Sequence, residues 1–159
     1  MESEYDYLNS DVRYVKVFTP FRRATLGQVV AGKCRLTAEG RCVYGEWTAL
    51  PFRFPHVKLD AFGIMPNFFE GIIVVDFEEQ RRLRVQHPRS GNVRRSSLEI
   101  ISSFQSATRR MRFASVQKRY VEICIQCDSD LRNLRQIIRE GPTVWSESVP
   151  TLQSPTKRG

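Results

Sequence analysis

Only two imidazoles are available to act as a base, His56 and His87. A serine or cysteine nucleophile needs such a base within reach. His56 follows Pro55 in an aromatic stretch and His87 precedes Pro88. Neither stands next to a nucleophile in the chain, so nothing in the spacing points to hydrolysis. Glu78-Glu79 is a pair of acids, but neighbouring residues in a turn point apart. No G-x-x-x-x-G-K-[ST] loop and no G-x-G-x-x-G is present, which removes the usual phosphate cradles. Four thiols, Cys34, Cys42, Cys124 and Cys127, could in number complete a tetrahedral zinc site. The second pair has the C-x-x-C spacing of a zinc knuckle. The first pair is seven residues apart inside, which does not suit one, and free cysteine commonly fills a core. They are read as structural thiols in a reducing compartment, and neither metal nor cofactor is expected.

Charge is the more informative chemistry. The net charge is +8, and it is unevenly spread. Residues 1–80 hold nine Lys/Arg against eleven Asp/Glu, residues 81–119 hold eleven against one, and residues 120–159 hold five of each. The central cations are Arg81, Arg82, Arg84, Arg89, Arg94, Arg95, Arg109, Arg110, Arg112, Lys118 and Arg119. Guanidinium offers a planar fork of donors that matches phosphate oxygens and stacks on bases. A face built only for solubility would mix lysine with glutamate. The segment is therefore read as a polyanion site. Phe104, Phe113 and Tyr120 lie in or beside it, and aromatic rings among cations are the pattern of a single-strand binder. Arg94-Arg95-Ser96-Ser97 also sets Ser97 in a basophilic kinase context, where phosphate would reduce the local positive charge.

These residues need elements to hold them. Val12–Thr19 is rich in β-branched and aromatic residues and predicts a strand ended by Pro20. Residues 26–36 fit helix or strand, with Gly27 and Gly32 favouring strand. Thr37–Gly40 is read as a hairpin turn into residues 41–48. Pro51, Pro55 and Pro66 predict a packed aromatic loop over residues 49–69. Gly71–Phe77 reads as a buried strand. After a turn at residues 78–80, the alternation of Arg82, Arg84 and Gln86 with Leu83 and Val85 predicts a returning strand carrying an arginine stripe. Leu98, Ile101 and Phe104 suggest a short helix over residues 96–107, and residues 109–126 read as extended. Asp128 is placed to cap a helix at about 129–140, stopped by Gly141 and Pro142.

The expected fold is α+β, mostly antiparallel β, a single small domain with one C-terminal helix and disordered ends. Residues 1–11 read as an acidic flexible arm, 12–141 as the domain and 142–159 as a disordered tail. The longest uninterrupted apolar run is Ile72–Val75, far short of the roughly 18–20 residues of a membrane span, and no secretory signal is visible. The expected function is a non-enzymatic, intracellular (cytoplasmic or nuclear) protein that binds RNA or DNA through its arginines. By composition it would suit a small viral accessory or structural role such as movement, silencing suppression or nucleocapsid association. The alternatives are a matrix-like protein on an anionic membrane surface, with self-association, and a module that docks an acidic protein.

Overall fold

The computed structural model describes residues 3–86, 97–110 and 120–148. A four-stranded antiparallel sheet, ordered β4-β5-β1-β6, is covered by helices on both faces. The strands are β1 (Ser10–Phe18), β4 (Val57–Met65), β5 (Phe68–Asp76) and β6 (Tyr120–Ile125). A separate two-stranded hairpin pairs β2 (Gly27–Val30) with β3 (Lys33–Leu36). The helices are α1 (Ala38–Thr48), α2 (Leu50–Arg53), α3 (Phe77–Gln86), α4 (Ser97–Arg110) and α5 (Asp128–Ser148). The fold is thus α+β with an antiparallel sheet, one small domain and a C-terminal helix, as its composition indicated.

Strand alternation divides the core in two. Val15 and Val17 of β1 and Phe69, Ile73 and Val75 of β5 meet Val43 and Trp47 of α1, Leu50 of α2 and Ile100, Ile101 and Phe104 of α4. Val12 and Tyr14, with Ile72 and Val74, point the other way and meet Leu131, Leu134 and Ile138 of α5. The rings of Trp47, Phe69 and Phe104 pack at centroid distances of 4.5 and 5.3 Å, within the range where offset and edge contacts are favourable. A Cβ at Gly71 would stand 2.9 Å from Trp47 and from Phe62. That glycine lets the indole lie directly on the sheet.

Several local expectations are corrected. Thr37 does not open a hairpin. Its hydroxyl accepts from the Gly40 N–H at 3.1 Å and caps α1, with Glu39 favourably placed in the first turn. The hairpin turn lies instead at Ala31-Gly32, both at positive φ. The prolines of residues 49–69 do not prevent regular structure. Pro51 enters the first turn of α2, where its missing N–H costs nothing, and Pro66 lies in the turn between β4 and β5. Residues 77–86 form a helix rather than a turn and strand. Asp76 Oδ1 accepts from the Glu78 and Glu79 N–H groups at 3.0 and 3.1 Å. Those acids start the helix and Arg84 ends it, in accord with the helix dipole. Val85, expected in the core, is 81% exposed. Residues 109 and 110 belong to α4 rather than to an extended run. Helix α5 also runs through Gly141 and Pro142. Proline removes one backbone donor there, while Leu134 and Ile138 keep the preceding turns seated on the sheet.

Candidate nucleic-acid interface

The sheet face that carries α5 is only partly covered by it. Beyond the helix, at the β1–β5 end, Phe18 and Phe68 face each other across the strands with centroids 6.0 Å apart. The Lys16 ammonium lies 4.1 Å from the Phe68 centroid and 5.4 Å from that of Phe18. The Arg22 guanidinium is 4.5 Å from Phe18 on the same shelf. Cations over ring faces are attracted by the quadrupole, by about 0.5–1 kcal/mol when exposed.

The loop after β1 extends this shelf. Phe21 and Arg22 have φ of 55° and 53°, the left-handed region that costs about 1–3 kcal/mol for a residue with a side chain. Thr19 holds the loop in that shape. Its N–H donates to Asn67 O at 3.0 Å and its hydroxyl to Arg23 O at 2.6 Å. The result is a phenyl ring, 85% exposed, held out from the surface between basic residues. The Arg23 guanidinium sits 5.5 Å from its centroid.

Next to the shelf is a groove of about 700 Å3 between the β2–β3 hairpin, β4 and α5. Its walls are apolar at Phe62, Met65 and Ile138, and Lys33 and Arg139 stand exposed at its rim. Glu70, 3% exposed, contributes a carboxyl group to its lining. Tyr14 donates to Glu70 Oε2 at 3.0 Å. Burial pushes the Glu70 carboxyl up from its ordinary value, partly opposed by the Tyr14 hydrogen bond and the charge of Lys16. Burial and the neighbouring carboxylate raise the Tyr14 hydroxyl still further. It is held as a neutral donor, a poor state for a nucleophile.

Arg135 also lines the groove but is already occupied. Its Nε and Nη2 donate to the two oxygens of Asp60 at 2.7 and 2.6 Å, and its Nη1 to Glu4 at 2.7 Å. Tyr5 donates to Asp60 at 2.5 Å, while Tyr7 and the Glu4 N–H donate to Asp128. The acidic segment expected to be a flexible arm thus makes specific contacts with α5. Asp128, expected as a helix cap, receives that segment instead. Burial works against ionisation of Asp60, but the bonds from Arg135 and Tyr5 outweigh it and hold the carboxyl at about 2.

The arginines singled out from the sequence are distributed differently. Arg81, Arg82 and Arg84 are exposed on α3, and Arg82 is paired with Glu79 one turn earlier. Arg109 lies near the end of α4, on the sheet face opposite α5, and its Nε donates to Gln105 O at 3.4 Å. Arg110 closes the same helix. Arg89, Arg94, Arg95, Arg112, Lys118, Arg119, His87 and Phe113 lie outside the described residues. Phe104 is core rather than a stacking platform, Tyr120 packs against the same core, and Ser97 is buried at 3% exposure. Cys34 lines the groove, Cys42 packs on the first core, and Cys124 and Cys127 are exposed. Among the described residues no three His, Cys, Asp or Glu gather to hold a metal ion, and no helix is long and apolar enough to cross a membrane. The shelf residues were missed because acids elsewhere in the first eighty positions cancel their charge. The run Phe18-Thr19-Pro20-Phe21-Arg22-Arg23, read as a cluster, carries the signal.

No family model matches the chain. It is 22% identical over 157 residues to an uncharacterized protein of Haemophilus influenzae, with 90% of this chain and 86% of that protein covered. Among solved structures it is similar to a REP-associated tyrosine transposase bound to a REP hairpin. That similarity has a TM-score of 0.52 and 18% identity, covering 90% of this chain and 73% of the other. A putative transposase from Deinococcus radiodurans matches at a TM-score of 0.44 and 12% identity, over 88% of this chain and 98% of that one. The first similarity overturns the expectation of a non-enzymatic viral accessory or matrix-like protein. The fold is one that a nucleic-acid enzyme uses, and composition alone could not distinguish that from a small basic structural protein.

Proposed function

We propose that this chain is a DNA-handling protein of the transposase type, which grips a DNA hairpin and its unpaired flank across the α5 face of the sheet. The observation that carries this reading is the strained loop that presents Phe21 beside Arg22 and Arg23. Exposed aromatic rings among cations hold unpaired bases by stacking, at about 1–3 kcal/mol per base. Lys33 and Arg139 continue the cationic track past the groove. They form no ion pair among the described residues and so remain available to phosphate. The fold similarity to a transposase bound to a hairpin supports hairpin DNA over other polyanions. Arg81 and Arg84 on α3 would add contacts to flanking duplex.

The test is a salt-titrated gel shift comparing a tailed DNA hairpin, the same hairpin without its tail, a blunt duplex and the matching RNA, with strand breakage read on denaturing gels. The tailed DNA hairpin should bind tightest. Phe21→Ala should weaken it roughly tenfold or more. Lys33→Ala and Arg139→Ala should each lower the log–log salt slope by about one. Equal affinity for the blunt duplex, an unaffected Phe21→Ala variant, or no shift at low salt would each overturn the reading.

A further inference from the structure

Glu70 is a side chain without a sufficient structural reason. An ionised carboxylate offers about four acceptor positions. Here it is 3% exposed and receives one hydrogen bond, from Tyr14. Asp60, by comparison, has two bonds from one guanidinium, a tyrosine hydroxyl and a backbone N–H. Burying a carboxylate with so few donors is costly, and an apolar residue would serve the sheet better. The unused acceptor is Oε1. It lies 4.0 Å from where a Cβ of Gly141 would stand, on the α5 side, where Glu70 lines the groove. Lys16 offsets part of the charge, and further donors to Oε1 can come from whatever occupies the groove, solvent or ligand.

The dimensions and walls of the groove define that visitor. It is apolar at Phe62, Met65 and Ile138; of its cations, Arg135 is held by Asp60 and Glu4, and Lys33 and Arg139 stand exposed at its mouth. A planar heterocycle attached to a phosphate chain fits this arrangement: the ring goes between the apolar walls, the phosphate stays near Lys33 and Arg139, and the donor edge meets Glu70. Of the four DNA bases, guanine alone presents two adjacent donors, N1–H and the 2-amino group. Adenine and cytosine present one amino donor beside an acceptor. Thymine presents one N–H between two carbonyls that a carboxylate repels.

We propose that the groove between the β2–β3 hairpin and α5 is a pocket for one unpaired base, selecting guanine through Glu70, with Lys33 and Arg139 holding its phosphates. Tyr14 is a positioning residue, since its hydroxyl fixes the carboxylate through Oε2 and leaves Oε1 toward the groove. This inference rests on the DNA-binding reading above.

The experiment uses a fluorescent DNA hairpin with a thymine tail in which one position at a time is replaced by guanine, adenine or cytosine. Affinity is measured by anisotropy at fixed salt. A single guanine at one tail position should bind about tenfold tighter than thymine there, with adenine and cytosine between. In Glu70→Gln, whose fold is checked by circular dichroism, that preference should shrink to within about twofold, with the guanine tail losing affinity and the thymine tail not losing any. Arg139→Ala should weaken all four tails alike and keep the order. Equal affinity of the wild type for the four bases at every position overturns the pocket while leaving the DNA reading intact. A guanine preference that survives in Glu70→Gln overturns the role of the carboxylate. Failure to bind any tailed hairpin at low salt removes the DNA reading itself, and the pocket with it.

Discussion

At the scale of single residues, two neighbours on β5 follow opposite logic. Glu70 is polar where packing alone would choose an apolar side chain. Because burial raises its pKa, the ionised form lowers stability above that raised value, and the penalty fades as the pH falls and the group takes up a proton. Glu70→Gln should therefore be as stable as the parent or slightly more so at pH 7, and the difference should narrow toward pH 4. Thermal melts at the two pH values check this. Gly71 is the reverse case, a missing side chain that geometry demands. In Gly71→Ala the added methyl would fall 2.9 Å from Trp47 and Phe62. Overpacking of this kind costs about 1–3 kcal/mol. Urea unfolding should show it as a lower midpoint at an unchanged slope. Neither feature could be read from the chain, because Gly71 and Glu70 acquire their meaning only from partners brought in by α1 and α5.

At the scale of elements, the strands that the sequence announced most directly are those with dense β-branched content, β1 and β5, while β2, β3 and β6 fall in stretches read as strand-favouring or extended. Strand β4 was hidden because Pro51, Pro55 and Pro66 dominate its surroundings, although all three fall outside it. The α3 segment misled for a different reason. Arg-Leu-Arg-Val-Gln alternates in a strand's period but also consists largely of good helix formers, and the deciding contribution was the cap at Asp76. That cap is testable. Asp76→Ala leaves two N–H groups unsatisfied and should cost about 1 kcal/mol, and Asp76→Asn should recover most of it. Hydrogen exchange in residues 77–86 should accelerate in the first variant and not in the second. Thr37→Ala should behave similarly for α1, with the added loss of the 2.6 Å bond from its hydroxyl to Thr25 O.

At the scale of the molecule, the attachment of α5 depends on groups far away in the chain. Asp60 on β4 and Glu4 near the start both hold Arg135, and Asp128 is held by Tyr7. The Asp60 carboxyl is depressed in the folded state to about 2. Its contribution is therefore complete above the unfolded carboxylate value of about 4 and lost as the pH falls through about 2, on the order of 1 kcal/mol after solvent screening. Acid titration should loosen α5 from the sheet over that window, visible as a change in the near-ultraviolet signal. Asp60→Asn should abolish the pH-dependent step. Deleting residues 1–8 should likewise raise hydrogen exchange across residues 128–140. The charge map of the sequence drew attention to residues 81–119, whereas the shelf and groove take their cations from other stretches. Counting charges along the chain cannot see that Lys16 and Arg22 gather on Phe18, or that Lys33 and Arg139 share one groove.

Strand order has a consequence for synthesis. Strand β1 sits in the interior of the sheet, yet its β6 neighbour is translated more than a hundred residues later. Pairing of β1 with β5, and of β5 with β4, can occur once residue 76 has emerged, while the other border of β1 remains bare until residues 120–125 follow. At about 5–20 residues per second that delay is several seconds. During it the nascent chain exposes an unsatisfied ladder of amides beside Val12 and Tyr14, the kind of border that recruits strands from other molecules. Crowded translation at elevated temperature should therefore be the condition under which this protein is most readily lost to aggregation.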